Sequence, residues 1–242
     1  MTRSMWQGRG MAKLKVMCAR SMHVAVGALG KTFAQDAGHE VTFDFATVGA
    51  LQGKLDAGET ADVTILSVPA TDKLEEAGKL VAASRHYVAK TFIAFCIRQG
   101  APKPDFSTAA AFRGLLENAK AIATSDPAVG GSAGVHLAKV FEQQGLAALM
   151  KGKSLPQPSG VEVAKRVVEG KADFGLTLSG EVASVEGAVI AGPLPPPFGQ
   201  DTVYAAAVMA SSGAEDAAAA FIAALLKPET RAVWAKAGFE RP

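Results

Sequence analysis

The sequence has few of the residues on which several classes of function depend. It contains only two cysteines in 242 residues, Cys18 and Cys96, and their separation matches no metal-ligand spacing. A zinc site is therefore not expected, and a disulfide can form only if the fold brings the two sulfur atoms together. We interpret both cysteines as small buried apolar residues.

Aromatic residues and charge of one sign are also scarce. Two tyrosines, two tryptophans and a net charge of +2 leave few stacking platforms and no basic stripe, which argues against nucleic-acid binding.

No apolar run approaches the roughly 18 residues of a membrane span, so no membrane insertion is expected. A hydrophobic content of 49% is typical of a globular chain with ample core, in one large or two small domains.

Motifs with defined chemistry are missing as well. The chain has no phosphate-binding Gly-x-x-x-x-Gly-Lys-Ser/Thr loop, no Gly-x-Gly-x-x-Gly with a following acid and no Gly-x-Ser-x-Gly elbow. Neither a cofactor nor a metal is expected.

The first residues, Met1 to Gly10, lack the apolar core of a secretory signal. The sequence as given thus predicts a cytoplasmic location, or a periplasmic one if a leader has been lost. Residues 1–11 are expected to form a flexible extension.

Strand-like and helix-like patterns alternate along the chain. The predicted strands cover residues 61–66, 92–97, 174–178 and 203–209, and the predicted helices cover 71–77, 109–117, 135–144, 161–169 and 214–226. Alternation of this kind predicts an α/β fold with a parallel sheet.

Three turns rich in small residues each lie between a predicted strand and a predicted helix, at residues 18–23, 45–51 and 125–134. Free backbone amides and the positive end of a helix dipole favour an anion at such a turn. The alternative is that the glycines serve only tight geometry and that Ser21 is only an N-cap. Three turns of one kind indicate a single anion site built from several strand ends.

Several segments follow one another in the order of a known family. They are Leu14-Lys-Val with the Ser21 turn, Phe45-Ala-Thr-Val-Gly-Ala-Leu51, Asp56-Ala-Gly-Glu-Thr-Ala-Asp62, Ser125-Asp-Pro and Lys227-Pro-Glu-Thr. From Leu14 to Phe239 the chain resembles type II periplasmic binding proteins, and more narrowly the substrate-binding proteins of molybdate ABC transporters.

The resemblance implies two α/β lobes with mixed, mostly parallel sheets, helices on both faces and a ligand cleft between the lobes. Lobe 1 would hold residues 12–93 and 203–242, and lobe 2 residues 94–202.

The oxyanion contacts that the resemblance implies are only partly present. The first cleft serine falls on Ser21, but the second falls on Val48 and the cleft tyrosine on Leu178. A hydrogen bond to a charged acceptor contributes up to about 1.5 to 3 kcal/mol, so the loss of two hydroxyl donors would weaken a bound dianion greatly. Molybdate is therefore not the expected ligand.

The segment Thr47-Val-Gly-Ala-Leu51 and the doubled glycine ending at Gly131 are similar to a divergent branch of the fold that includes aconitate isomerase. This resemblance implies a 1,3-proton shift in a tricarboxylate, in which a base removes an allylic proton and donors hold the charge that develops. The alternative is a non-catalytic binding protein of an ABC importer for molybdate, tungstate or another oxyanion. An ABC permease would be a partner only if the protein is exported.

The candidate bases are His23 and Asp126. A histidine can act as a proton shuttle, but His23 is also placed to cap or pack, and Asp126 is also placed to fix its turn. The candidate ligand-binding residues are Arg20, Ser21, Thr47, Val48, Gly49, Ser67, Arg85, Lys90, Gly131, Ser132, Ala133 and Tyr204. For Arg85 and Lys90 the alternative is a solvated surface charge.

Overall fold

Nine strands form one continuous mixed sheet in the computed structural model, which describes residues 11–241. They are β1 (Lys13–Ala19), β2 (Glu40–Ala46), β3 (Val63–Ser67), β4 (His86–Arg98), β5 (Ile122–Ser125), β6 (Ser154–Gln157), β7 (Phe174–Leu178), β8 (Ala188–Pro193) and β9 (Asp201–Val208). Residues 1–10 of the expected extension at residues 1–11 lie outside the described residues.

Ten α-helices accompany the sheet within the described range. They are α1 (His23–Ala37), α2 (Val48–Asp56), α3 (Val68–Glu76), α4 (Ala109–Asn118), α5 (Ser132–Gln143), α6 (Ala147–Lys153), α7 (Gly160–Val168), α8 (Ser179–Val182), α9 (Glu215–Leu225) and α10 (Arg231–Lys236). Short 3-10 turns cover Arg20–Met22, Pro127–Val129 and Pro228–Thr230. Of these described helices, even the 15-residue α1 does not combine the length and apolarity that crossing a bilayer needs.

The strand order is β2-β1-β3-β9-β4-β7-β5-β6, with β8 paired to β4. In one half β1 pairs in parallel with β2 and β3, and in the other β5 pairs in parallel with β6 and β7. The long strand β4 belongs to both halves, because residues 86–92 pair with β9 and residues 93–98 pair with β7 and β8. This arrangement confirms the predicted two-lobed α/β fold. The residue boundaries of the lobes stay a prediction.

Each half has its own apolar core. In the first half, Val16 and Ile65 from the sheet pack with Phe221 and Trp234 from the C-terminal helices. In the second half, the Phe95 ring stacks on Phe106 at 4.6 Å and on Phe174 at 4.5 Å between ring centroids. Every residue of the short strands β3 and β7 is buried, which explains their almost continuous apolar sequences. Cys18 and Cys96 are buried and unpaired, as interpreted from the sequence.

Element boundaries differ from the prediction where a turn residue starts a helix early. Helix α3 begins at Val68 because Pro69 is compatible with a first helical turn. Helix α5 begins at Ser132, three residues before the predicted start, with Gly131 as its N-cap. The alternative role of Ser21 as an N-cap is wrong, because α1 begins at His23 behind Met22 and no side chain caps it.

Candidate functional site

A small cavity lies where the carboxyl ends of strands from both halves meet. Its volume is about 30 Å³, which leaves room for only a few water molecules. The lining residues are Ala19, Arg20, Ser21, Thr47, Val48, Ser125, Val129, Gly131, Ser132, Ala133, Pro158, Ser159, Gly160, Leu178, Glu181 and Tyr204. All three turns singled out in the sequence contribute to this set, at the position where open α/β sheets bind ligands.

Three helices begin at the cavity: α2 at Val48, α5 at Ser132 and α7 at Gly160. The first amides of each helix have no carbonyl partner within the helix, and the helix dipole places partial positive charge at the same end. Arg20 adds a full positive charge, since its exposed side chain stands at the same cavity. The arrangement therefore favours an anionic ligand.

Two hydroxyl groups meet at the inner side of the cavity. The Ser21 Oγ and Tyr204 Oη atoms lie 2.9 Å apart in a buried hydrogen bond. Burial raises the pKa of Tyr204 above its usual value, whereas hydrogen bonds with Ser21 and Ser132 act in the opposite direction. Tyr204 therefore stays a neutral phenol at physiological pH and can donate a proton in a hydrogen bond to a bound carboxylate.

Contacts between the two halves hold the cavity closed. The Thr47 hydroxyl donates to the Val129 carbonyl oxygen at 2.9 Å. Beside this bond the backbones of Gly49 and Gly130 touch, and a Cβ on Gly49 would lie 3.2 Å from the Gly130 Cα atom. Because the cavity has room for only a few water molecules, a larger ligand can enter only when these turns separate.

Glu181 on α8 is a residue of the cavity that the sequence reasoning missed. Its carboxyl group accepts hydrogen bonds from the Gly160 amide at 3.1 Å and from the Thr177 hydroxyl at 2.9 Å. Burial raises the pKa of Glu181, while the bonds from Thr177 and Gly160 and the charge of Arg20 oppose the rise. The sequence feature that could have identified Glu181 is its position shortly after Leu178, at the carboxyl end of a buried strand.

The two candidate bases lie outside the set of lining residues. The His23 ring places Nδ1 2.9 Å from the Arg20 carbonyl oxygen and packs edge-on against Phe45. The Asp126 carboxylate accepts a hydrogen bond from the Ala128 amide at 2.9 Å. Both side chains therefore support the local backbone of turns that shape the cavity, and the structure does not bring either of them into it.

Four predicted ligand-binding residues also lie outside the lining set. Arg85 forms ion pairs with Asp72 and Glu75, each at 2.7 Å, and Lys90 forms ion pairs with Asp201 at 3.2 Å and Glu240 at 3.1 Å. Gly49 contributes the backbone contact described above, and Ser67 is buried at the end of β3. The eight that the structure brings together are Arg20, Ser21, Thr47, Val48, Gly131, Ser132, Ala133 and Tyr204.

A much larger groove, of about 1740 Å³, lies elsewhere, beside α1, α9 and α10. Small side chains such as Ala220 and Ala224 line it together with Leu29 and Phe33. It shares no residue with the small cavity and contains none of the predicted site residues. The smaller cavity is therefore the candidate functional site.

Comparison with known proteins places the chain in a family. A family model described as bacterial extracellular solute-binding protein matches residues 14–240. The aconitate isomerase of a Pseudomonas species is 34% identical to the chain over 180 residues, which are 73% of the chain and 66% of that relative. The match thus spans slightly less than two thirds of the relative's own length.

Two further similarities concern molybdate-binding proteins. The molybdate-binding protein ModA of Mycobacterium tuberculosis H37Rv is 27% identical over 245 aligned positions, covering 97% of the chain and 87% of that protein. The solved structure of the periplasmic molybdate-binding protein of Azotobacter vinelandii superposes with a TM-score of 0.73. It is 21% identical and covers 95% of this chain and 99% of the other, which shows a shared fold.

Proposed function

We propose that this chain, which belongs to the family of bacterial extracellular solute-binding proteins, binds a small polycarboxylate between its lobes. The proposed reaction is isomerisation of that ligand by a 1,3-proton shift, as in an aconitate isomerase. Membership in the family supports the binding of a small solute in the interlobe cavity. The 34% identity to an aconitate isomerase favours a tricarboxylate as that solute.

The observation that carries the proposal is the mixture of side chains around the cavity. Val48 and Leu178 form apolar parts of the lining, whereas Arg20 supplies a cation and Ser21 and Tyr204 supply hydroxyl groups. A compact tetrahedral oxyanion presents oxygen in every direction and would leave some of its oxygens against the apolar walls. A polycarboxylate presents a hydrocarbon chain to such walls and its carboxylates to the cation and the helix N-termini.

The hydroxyl and amide donors around the cavity also suit the proposed 1,3-proton shift. When an allylic proton is removed, negative charge develops on the neighbouring carboxylate of the ligand. Hydroxyl and amide donors that are already in place stabilise that charge without rearrangement, and their effect is larger once the closed lobes exclude water. The contact of the Thr47 turn with Val129 and Gly130 supplies this closure.

Calorimetric titration of the purified protein tests the proposed ligand class. We expect trans-aconitate to bind at least about tenfold more tightly than sulfate or molybdate, because one additional charge-assisted contact, made by a second carboxylate of the ligand, is worth about 1.5 kcal/mol or more. Saturated tricarboxylates serve as matched ligands that bind without being isomerised. Binding of trans-aconitate no better than that of sulfate would overturn the proposal, and tight binding of molybdate alone would identify an oxyanion receptor instead.

A further inference from the structure

A single carboxyl group, that of Glu181, lines the cavity within the part of the chain that the structure describes. Arg20 and Tyr204 are the other titratable residues in the lining set, which includes neither a histidine nor an aspartate. The Glu181 residue is 8% exposed, so its carboxyl group faces little solvent. Within this lining set, Glu181 is therefore the one carboxyl group available to move a proton on a bound ligand.

The Glu181 carboxyl group is fixed by neighbours from two different elements. One oxygen accepts from the amide of Gly160 at the start of α7, and the other accepts from the Thr177 hydroxyl on β7. Thr177 is held in turn by Ser125, with 3.1 Å between the two hydroxyl oxygens. A carboxylate has about four acceptor positions, so two remain for a ligand.

Gly160 permits this close approach. A Cβ atom on Gly160 would lie 1.9 Å from Glu181 Oε2 and 2.0 Å from Thr177 Oγ1. Any other residue at this position would push the carboxyl group out of its place. The position beside the carboxyl group is thus occupied by the one residue that leaves room for it.

We propose that the Glu181 carboxylate is the general base that removes the allylic proton from the bound polycarboxylate and, as the acid so formed, returns a proton to the far carbon. This inference rests on the proposed function. It assigns the proton transfer to a residue on α8 in place of His23 or Asp126, whose side chains hold local backbone outside the cavity.

The step is balanced in atoms and electrons. A Glu181 oxygen takes a proton from the methylene carbon, and the electron pair of the broken C–H bond becomes part of the new carbon–carbon double bond. The electrons of the former double bond then form a C–H bond at the other end of the allylic unit with the proton that Glu181 returns. No oxidant or reductant is needed, and Arg20 and the Ser21 hydroxyl are placed to stabilise the charge that spreads into the adjoining carboxylate.

The environment of Glu181 also suits a general base. Burial raises the pKa of Glu181, and a general base is most effective when its pKa lies near the working pH. Arg20 and Tyr204 are the charged or titratable groups that share the cavity with it. Of the charged residues on the neighbouring β4 and α7, Lys90, Glu162, Lys165 and Arg166 form ion pairs elsewhere.

Replacing Glu181 by Gln tests the assignment. The amide oxygen of Gln can still accept from the Gly160 amide, but the side chain cannot take up a proton. We expect turnover of trans-aconitate to fall by more than about 100-fold. Its dissociation constant should be unchanged or lower, because a negative charge has been removed from the anion site. In the wild type kcat/KM should decrease as the pH falls through the raised pKa of Glu181, and this acidic limb should be absent from any residual activity of the variant.

Two further variants serve as controls. Glu186→Gln removes an exposed carboxylate that follows α8 and should leave turnover at the wild-type level. Glu181→Asp keeps a carboxyl group and replaces the Gln variant if that variant does not fold. Wild-type turnover in Glu181→Gln would overturn the assignment of the base and leave the proposed function standing. A wild-type protein that binds trans-aconitate but neither isomerises it nor exchanges its allylic protons would overturn both.

Thermal unfolding gives a second readout, which is independent of turnover. Because burial raises the pKa of Glu181 in the folded state, the folded protein binds this proton more tightly than the unfolded chain does. Ionisation of Glu181 then costs stability as the pH rises above its unfolded pKa. The Tm of Glu181→Gln relative to wild type should rise as the pH increases from about 4, near the unfolded pKa, through the raised folded pKa. A Tm difference that instead falls over this range would show an ionised, structurally stabilising carboxylate and contradict the assignment.

Discussion

Replacing Gly160 by Ala is expected to reduce the turnover of trans-aconitate by more than about 100-fold. The added Cβ would lie 1.9 Å from the Glu181 carboxyl group and 2.0 Å from the Thr177 hydroxyl. Glu181 has a flexible side chain, so we expect its carboxyl group to rotate away, and the short, buried Thr177 side chain must shift as well. The base would then be lost from its position without being removed from the protein. Steady-state kinetics together with circular dichroism measure the two effects separately.

Gly152 on α6 offers a matched control for this experiment. A Cβ at that position meets no atom within 4 Å. Gly152→Ala should therefore retain wild-type turnover, with a gain in stability of up to about 1 kcal/mol from the better helix propensity of Ala. If Gly160→Ala folds and turns over like Gly152→Ala, the position of the Glu181 carboxyl group does not matter for the reaction.

Replacing Arg20 by Ala is expected to weaken the binding of a tricarboxylate by more than tenfold. Arg20 is the only Lys or Arg residue among the described residues that line the cavity. A hydrogen bond to a charged partner contributes about 1.5 to 3 kcal/mol, and we expect the lower part of that range because the side chain is exposed. Calorimetric titration with trans-aconitate measures the loss, and a rise in salt concentration should reduce the difference between variant and wild type.

Arg20→Lys and Arg231→Ala are the controls for this prediction. The lysine variant keeps the charge and should recover part of the affinity, although it lacks the planar guanidinium group that binds a carboxylate through two bonds. Arg231 is exposed on α10 and is not among the lining residues, so its replacement should have no effect. An unchanged affinity in Arg20→Ala would remove Arg20 from the binding surface.

The fold could be predicted from the sequence because its main signals are local. Strand β7 matches the predicted residues 174–178 since all five of its residues are buried and apolar or small. Strands β6 and β8 were not predicted, because β6 is only four residues long and contains Pro156, and β8 has one buried residue, Ala191, and ends in Gly192 and Pro193. Short strands of this kind depend on their neighbours in the sheet more than on their own sequence.

The candidate site could be predicted only in part, because it also depends on contacts between residues that are distant in sequence. Glycine and serine at strand ends identify the turns directly, and those turns do meet at one cavity. The partners of a charged side chain, in contrast, are often distant in sequence. Lys90 forms an ion pair with Glu240, which lies 150 residues later in the chain, and Glu181 accepts a hydrogen bond from Gly160 on another helix. Which charges pair on the surface and which enter the cavity is therefore decided by tertiary packing.

Proton NMR of the purified protein with trans-aconitate in deuterated water tests the central claim most directly. The measurement follows the appearance of the cis isomer and the loss of the allylic proton signals in one sample. Our account predicts that the wild-type protein produces the cis isomer and exchanges these protons, and that Glu181→Gln does neither at a comparable rate. A wild-type protein that binds trans-aconitate and leaves its spectrum unchanged would contradict the account and would place the chain among the non-catalytic solute-binding proteins.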